Sequence, residues 1–118
     1  MYETKPVNRD VLILAPNGGS IAKCLEIVGH EFRCSHRELI SARRAQHIAR
    51  PRMVGYWLAK ESTTASLPQI GHAFGQRDHT TIMHGCRRVE ELRQADPAFK
   101  LMTDRLLERA VLANDAHS

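Results

Sequence analysis

The sequence predicts an all-α fold, a compact bundle of about six helices that contains a helix-turn-helix. Three observations support this prediction: apolar residues recur at helical spacing, capping residues precede these runs, and no segment shows sustained alternation of apolar and polar residues. The chain has 118 residues, the usual size of one domain. We expect an N-terminal tail over residues 1–19, a helix-turn-helix domain over 20–95, and a C-terminal helix within 96–118 that packs on the domain or extends it.

Three helices are predicted in the first half of the domain. Ser20 is a suitable N-cap, and Gly29 a suitable stop, for the first helix. Its apolar stripe consists of Ile21, Cys24, Leu25 and Val28. Ser35 and Glu38 have the spacing of a capping box, which predicts the start of the second helix. We expect the third helix to begin at Pro51, because the first helical turn tolerates a residue without an N–H. Its inward residues are Val54, Trp57 and Leu58.

A short helix and two longer ones are predicted in the second half. The stretch Ser66-Leu67-Pro68-Gln69 is another capping signature, and Gly75 is a suitable residue to end the helix that follows it. Asp78 caps the next helix after a tight turn. A short helix, a tight turn and a longer helix together have the outline of a helix-turn-helix. Asp96-Pro97 then breaks the chain and starts a last helix, which ends near Ala113.

The positive charge is concentrated in one segment. The chain has 17 Lys and Arg residues against 13 Asp and Glu, a net charge of +4. Residues 36–52 contain five Arg, and Glu38 is their single acidic residue, so this run has as large an excess as the whole chain. Arginine presents a planar fork that suits phosphate oxygens, base edges and a narrow minor groove. The run therefore favours a nucleic acid as the partner; the alternative is a solvated loop surface.

Composition also disfavours other classes of protein. No run approaches about 18 consecutive apolar residues, so we expect no membrane span. The aliphatic run over 11–15 is too short for a secretory signal and follows charged residues. The 3 Cys residues are irregularly spaced, which is typical of reduced thiols in a cytosolic protein. We therefore expect a cytoplasmic protein, associated with the nucleoid if its partner is DNA.

The longer helix of the predicted helix-turn-helix begins with residues suited to reading bases. In this motif the second helix enters the major groove, and its first residues contact base edges. Those residues are Asp78, His79, Thr80 and Thr81, with His84 one turn further on. Asp accepts from cytosine N4, and Thr offers a hydroxyl group and a methyl group that can contact thymine. The alternative is that Asp78 and the two threonines only cap the helix.

Three stretches of this sequence resemble one known family. They are Arg50-Pro51-Arg52, Ser66-Leu67-Pro68-Gln69-Ile70-Gly71 and Phe74-Gly75-Gln76-Arg77-Asp78-His79-Thr80-Thr81-Ile82-Met83-His84. In order and spacing they are similar to the C-terminal helix-turn-helix domain of the bacterial chromosomal replication initiator DnaA. The resemblance covers residues 20–95. It implies binding of double-stranded DNA at a short box, with the recognition helix in the major groove and an arginine of the basic run in the minor groove.

The resemblance also implies which residues contact DNA. Base contacts are expected from Arg44 in the minor groove, from Asp78, His79 and Thr80 in the major groove, and from Leu67 and Pro68 beside the thymines. Phosphate contacts are expected from Arg52, Lys60, Arg77, Thr81 and His84, to which we add Arg43, Arg50 and Arg88. Three positions depart from the family pattern: Gln76 replaces a usual Gly, Met53 a common Gln, and Gln46 a usual basic residue. These departures concern affinity and the preferred box.

The initiator also has a nucleotide-hydrolysing domain, which this sequence does not match. Residues 1–19 lack the Gly-Lys-Ser/Thr of a phosphate-binding loop. We therefore expect a stand-alone domain that needs no cofactor, binds no nucleotide and acts by occupying sites, one protein to a box, in the control of replication or transcription. One alternative is a chromosomal or phage transcription factor with operators of its own. Another is an adaptor that holds a partner protein with its C-terminal helix.

Two further classes fit the sequence less well. Cys24, His30, Cys34 and His36 lack the paired spacing of a zinc site. Asp78 and His79 are consecutive on a helix and point about 100° apart, so they do not converge on one substrate atom. We expect neither a metal site nor an enzyme.

Overall fold

A computed structural model of the protein describes residues 17–116, with side chains over 21–113. All regular structure in this range is helical. The six helices are α1 (Asn17–Phe32), α2 (His36–Ile40), α3 (Gln46–Ser62), α4 (Leu67–Ala73), α5 (His79–Ala95) and α6 (Pro97–Ala116). The prediction of an all-α bundle of about six helices is confirmed. Most of the predicted N-terminal tail lies outside the described residues.

Helix α3 lies at the centre of the bundle and contacts each of the other five helices. Its inward residues Val54, Trp57 and Leu58 are buried, as their spacing predicts. The Tyr56 ring meets the edge of the Phe74 ring at a centroid distance of 5.0 Å and an angle of 82°. This edge-to-face contact holds α3 against the turn that follows α4, so the central helix positions the helix-turn-helix.

Helix α1 differs from its predicted limits at both ends. It begins at Asn17 rather than after Ser20, and it continues through Gly29 to Phe32. A glycine ends a helix where the backbone turns left-handed, and here Arg33 takes that conformation, with φ of 56°. The Cys34 amide then donates to the Gly29 carbonyl at 2.9 Å, which closes a Schellman-type end. The predicted stop at Gly29 is therefore wrong.

The predicted start of α3 at Pro51 is also wrong, because this proline lies inside a helix that begins at Gln46. A proline within a helix leaves the carbonyl four residues earlier without its N–H partner. That carbonyl belongs to His47, and the Cys34 thiol points to it at 3.8 Å. The partner comes from the end of α1, so the helix tolerates Pro51 through a tertiary contact.

Helix α6 packs against α1, α3 and α5 and buries Phe99, Leu106 and Ala110 in the common core. Asp96 precedes it and accepts hydrogen bonds from the amides of Ala98 at 3.0 Å and Phe99 at 3.3 Å. The helix extends to Ala116, further than the predicted end near Ala113. None of the six helices between residues 17 and 116 is long and apolar enough to cross a bilayer.

Candidate nucleic-acid interface

The helix-turn-helix is formed by α4, a turn over residues 74–78, and α5. Ser66 and Gln69 form the predicted capping box at the start of α4, with the Ser66 hydroxyl accepting from the Gln69 amide at 3.2 Å. Gly75 follows the end of α4 with φ of +93°, a conformation that favours glycine. Gln76 takes a positive φ of 66° as well. At this departure from the family pattern, a residue with a side chain thus holds a strained conformation, at a cost of about 1–2 kcal/mol.

The two helices of the motif approach each other closely at Gly71. A β-carbon placed on Gly71 would lie 2.1 Å from the Arg77 carbonyl oxygen, so any larger residue would push the turn away from α4. The Arg77 amide donates to the Gly71 carbonyl at 2.8 Å and fixes this approach. The start of α5 is thereby held in one orientation relative to α4.

The first residues of α5 project into solvent. Asp78, His79 and Thr80 are all exposed. One Asp78 carboxylate oxygen accepts from the Thr80 amide at 3.0 Å and also from the Thr80 hydroxyl. These hydrogen bonds from Thr80 lower the pKa of Asp78 from its ordinary value. Asp78 therefore caps the helix with one oxygen, and its second oxygen lies 3.8 Å from His79 Nδ1.

A basic loop over residues 41–45 joins α2 to α3 beside the helix-turn-helix. Both of its arginines, Arg43 and Arg44, are exposed. Arg52 lies beneath the loop at 6% exposure. Its guanidinium donates to the carbonyl oxygens of Leu39 at 2.9 Å, Glu38 at 2.9 Å and Ser41 at 2.6 Å, and also to that of Arg43.

These contacts give Arg52 a role within the protein beside its expected phosphate contact. A guanidinium that is buried and bonded to four carbonyl groups has fewer donors left for a phosphate than an exposed one. Burial, followed by the charge of Arg77, lowers its pKa from the usual arginine value. Four backbone carbonyls are strong acceptors, so they compensate for burying the charge. Arg52 shapes the basic loop from below.

An open groove runs between the basic loop and α5, and we call it the basic groove. Among its lining residues are six of the expected DNA contacts: Arg44, Arg52, Arg77, Thr81, His84 and Arg88. Thr81, His84 and Arg88 are spaced by three and four residues, so they share one face of α5. The fold therefore brings the predicted minor-groove arginine opposite the predicted phosphate contacts of the recognition helix.

Other expected contacts lie outside the basic groove. Leu67 and Pro68 form the first turn of α4, where Leu67 packs partly on the core and Pro68 is exposed. Arg50 is exposed on α3, and its guanidinium lies 5.6 Å from the centre of the Phe99 ring. Lys60 is exposed at the end of α3, with its ammonium group 3.7 Å from Glu61. The structure does not gather these four residues at one point.

Sequence reasoning missed two residues at or beside the basic groove. Tyr56 lines the basic groove, and burial raises the pKa of its hydroxyl, an effect that nearby Arg77 partly offsets. The spacing of four residues between Arg52, Tyr56 and Lys60 could have placed them on one side of α3. Ser41 was missed because both Arg52 and Arg77 bond to its main-chain carbonyl, an acceptor that every residue type has.

The cysteine and histidine residues considered for zinc take other positions. Cys24 is buried, and its thiol lies 3.2 Å from the Ser62 hydroxyl. His30, Cys34 and His36 border a shallow cleft at the end of α1. Within the described residues, no group of three or more potential ligands is arranged to hold a metal ion.

Comparison with known proteins places this geometry in a family. A family model described as the bacterial dnaA protein helix-turn-helix matches residues 21–89. The chromosomal replication initiator protein DnaA of Psychromonas ingrahamii (strain DSM 17664 / CCUG 51855 / 37) is 45% identical over 86 residues, which are 73% of this chain and 19% of that protein. The same protein of Acinetobacter baylyi (strain ATCC 33305 / BD413 / ADP1) is 43% identical over 91 residues, 77% of this chain and 20% of that protein.

A solved structure supports the same relationship. The crystal structure of a DNA replication initiation factor superimposes with a TM-score of 0.72 and 26% identity, and the match covers 80% of this chain and 29% of that one. The chain spans about a fifth of the length of the curated relatives, namely 19% and 20%. The shared part is the helix-turn-helix, a DNA-binding fold rather than a catalytic one.

Proposed function

Because this chain belongs to the bacterial DnaA helix-turn-helix family, we propose that it binds double-stranded DNA at boxes of the initiator type and regulates replication or transcription by occupying them. One observation supports this proposal above the others. Arg44 on the basic loop and Thr81, His84 and Arg88 on the recognition helix line the same open groove. A DNA duplex bound there has its minor groove against the basic loop and the adjacent major groove against α5.

Major-groove reading falls to the exposed start of α5. Asp78 accepts from Thr80 with one oxygen, and its other oxygen is available to accept from a base amine such as cytosine N4. His79 and Thr80 are exposed beside it and supply further donors, acceptors and a methyl group. The Asp78 carboxylate can therefore cap the helix with one oxygen and contact a base with the other.

Minor-groove reading falls to Arg44. Its side chain is exposed at the edge of the basic groove, on a loop whose backbone is held by Arg52. Because a narrow minor groove at A·T pairs has an enhanced negative potential, an arginine there favours A·T over G·C pairs.

Phosphate contacts position the protein without reading sequence. The exposed cations Arg43, Arg50, Lys60 and Arg88 are proposed for this role, with Arg77 and the polar side chains of Thr81 and His84. The N-terminus of α5, a helix of 17 residues, adds a partial positive charge. None of these contacts uses a nucleotide or a metal. A complex of one protein to one box in the bacterial cytoplasm is the simplest arrangement.

Substitutions at Asp78 and Lys60 separate base reading from positioning. Asn caps a helix as well as Asp does but pairs with adenine rather than cytosine. Asp78→Asn should therefore change which base is preferred at one position of the box. The free energy of discrimination at that position should change by about 1–3 kcal/mol, with thermal stability unchanged. Lys60→Ala should weaken all duplexes equally. The measurement is Kd for a set of box duplexes that differ by single base pairs; an Asp78→Asn protein with every base preference intact would refute the recognition-helix assignment.

A competition titration tests occupancy of the initiator's own sites. With initiator bound to a labelled duplex that contains one box, this protein should displace it in proportion to concentration over Kd. A duplex with a scrambled box serves as the control for non-specific displacement. Failure to displace at concentrations well above its own Kd, together with selection of an unrelated motif from random DNA, would favour a transcription factor with its own operators. Gln76, Met53 and Gln46 would then be the first residues to examine.

A further inference from the structure

Two arginines from different elements meet at one carbonyl oxygen. Arg77, in the turn before the recognition helix, donates from its guanidinium to the Ser41 carbonyl at 2.7 Å. Arg52, on the central helix, donates to the same oxygen at 2.6 Å. Ser41 is the first residue of the basic loop, so this oxygen joins the loop to the helix-turn-helix. Ser41 and Arg77 are 36 residues apart in sequence, so only the tertiary fold brings them together.

Arg77 spans the joint with both ends of its guanidinium. One nitrogen donates to the Phe74 carbonyl at the end of α4, at 2.5 Å, and the other to Ser41. A planar fork with donors in fixed directions can hold two acceptors at a set separation, whereas the single ammonium group of Lys cannot do so. Arg77 therefore links the backbone at the end of α4 to the backbone at the start of the basic loop.

Main-chain packing supports the same joint independently of Arg77. Gly75 lies against the Ile40 carbonyl so closely that a β-carbon on it would be 2.1 Å from that oxygen. Residues 40 and 41 thus contact the turn through Gly75 and through Arg77. The basic loop and the end of α2 are therefore joined to the turn that leads into α5 at two points.

We propose that Arg77 is a positioning residue for specificity: it fixes the minor-groove loop in register with the recognition helix, so that Arg44 and Asp78 reach their base pairs at the same time. This inference rests on the proposed function, in which Arg44 reads the minor groove. It assigns Arg77 a role beyond a phosphate contact. A phosphate contact changes affinity for all sequences alike, whereas a positioning residue changes discrimination between them.

Arg77→Lys separates the two roles, because lysine keeps the positive charge for a phosphate but cannot hold both carbonyl acceptors at once. The readout is the ratio of Kd values for two boxes that differ only in an A·T or G·C pair under Arg44. We expect about a tenfold ratio for the wild type and a ratio near one for Arg44→Ala. Arg77→Lys should lower the ratio close to that of Arg44→Ala. The salt dependence of Arg77→Lys should match that of the wild type, since the charge is retained.

Arg87→Lys is the matched control, because Arg87 is exposed on α5 and does not line the basic groove. Thermal unfolding of each variant shows that the measured ratios belong to folded protein. An Arg77→Lys protein that keeps the wild-type ratio overturns the inference while leaving the proposed function intact. A wild-type protein with no preference between the two boxes overturns the proposed function, and this inference with it.

Discussion

Raising the salt concentration from about 50 to about 200 mM is expected to weaken binding to a box duplex by about 10³-fold. Each phosphate neutralised by a protein cation releases counterions, and log Kd therefore varies linearly with log salt. The exposed cations proposed at the interface are Arg43, Arg44, Arg50, Lys60 and Arg88, with Arg77 half-buried. About five or six such contacts give a log–log slope of about −5 for the association constant.

Arg52 is left out of this count of contacts. Its guanidinium is bonded to backbone carbonyls at 6% exposure, so we expect it to release no counterions from DNA. Lys60→Ala should flatten the slope by about one unit. The slope can be measured by fluorescence anisotropy over a salt series, with a scrambled duplex as the reference for non-specific binding. A slope near zero would mean that the basic groove does not face the DNA.

Trp57→Ala is expected to lower the free energy of unfolding by about 3–5 kcal/mol, a large fraction of what a domain of this size has. Trp57 lies on α3 and is 2% exposed in the core. Its indole N–H donates to Glu90 on α5 at 2.7 Å, and the Arg93 guanidinium stacks over its ring at 4.7 Å. Arg93 in turn donates to Asp104 on α6 at 2.8 Å.

Removing the ring therefore leaves a cavity and takes away the surface on which Arg93, the link from α5 to α6, is stacked. Trp57→Phe is the matched control: it keeps a ring for Arg93 but loses the N–H, and should cost about 1 kcal/mol. Urea unfolding followed by circular dichroism measures both values. A loss below about 1 kcal/mol for Trp57→Ala would show that neighbouring side chains refill the space and that α6 does not depend on this contact.

The helix starts that depend on local interactions were predictable from sequence. Ser35 and Glu38 form both hydrogen bonds of their capping box, at 3.0 and 2.9 Å, and Asp78 caps α5 as predicted. These partners are two or three residues apart, so the sequence contains both members of each contact. The limits at Gly29 and Pro51 were not predictable, because Arg33 made the left-handed turn and the Cys34 thiol supplied a distant partner for the His47 carbonyl.

The sequence by itself therefore determined the all-α class, the starts of four helices and the residue types available at the start of α5. Only the tertiary structure decided which arginines remain exposed. Arg44 and Arg52 have the same side chain in the same basic run, but packing of α2 against α3 brings the carbonyls of Glu38, Leu39, Ser41 and Arg43 within reach of Arg52, whereas Arg44 is exposed. The physical reason is that a guanidinium binds a backbone carbonyl or a phosphate oxygen with the same donors. Its role follows from which acceptor the fold places within reach, and that acceptor is distant in sequence.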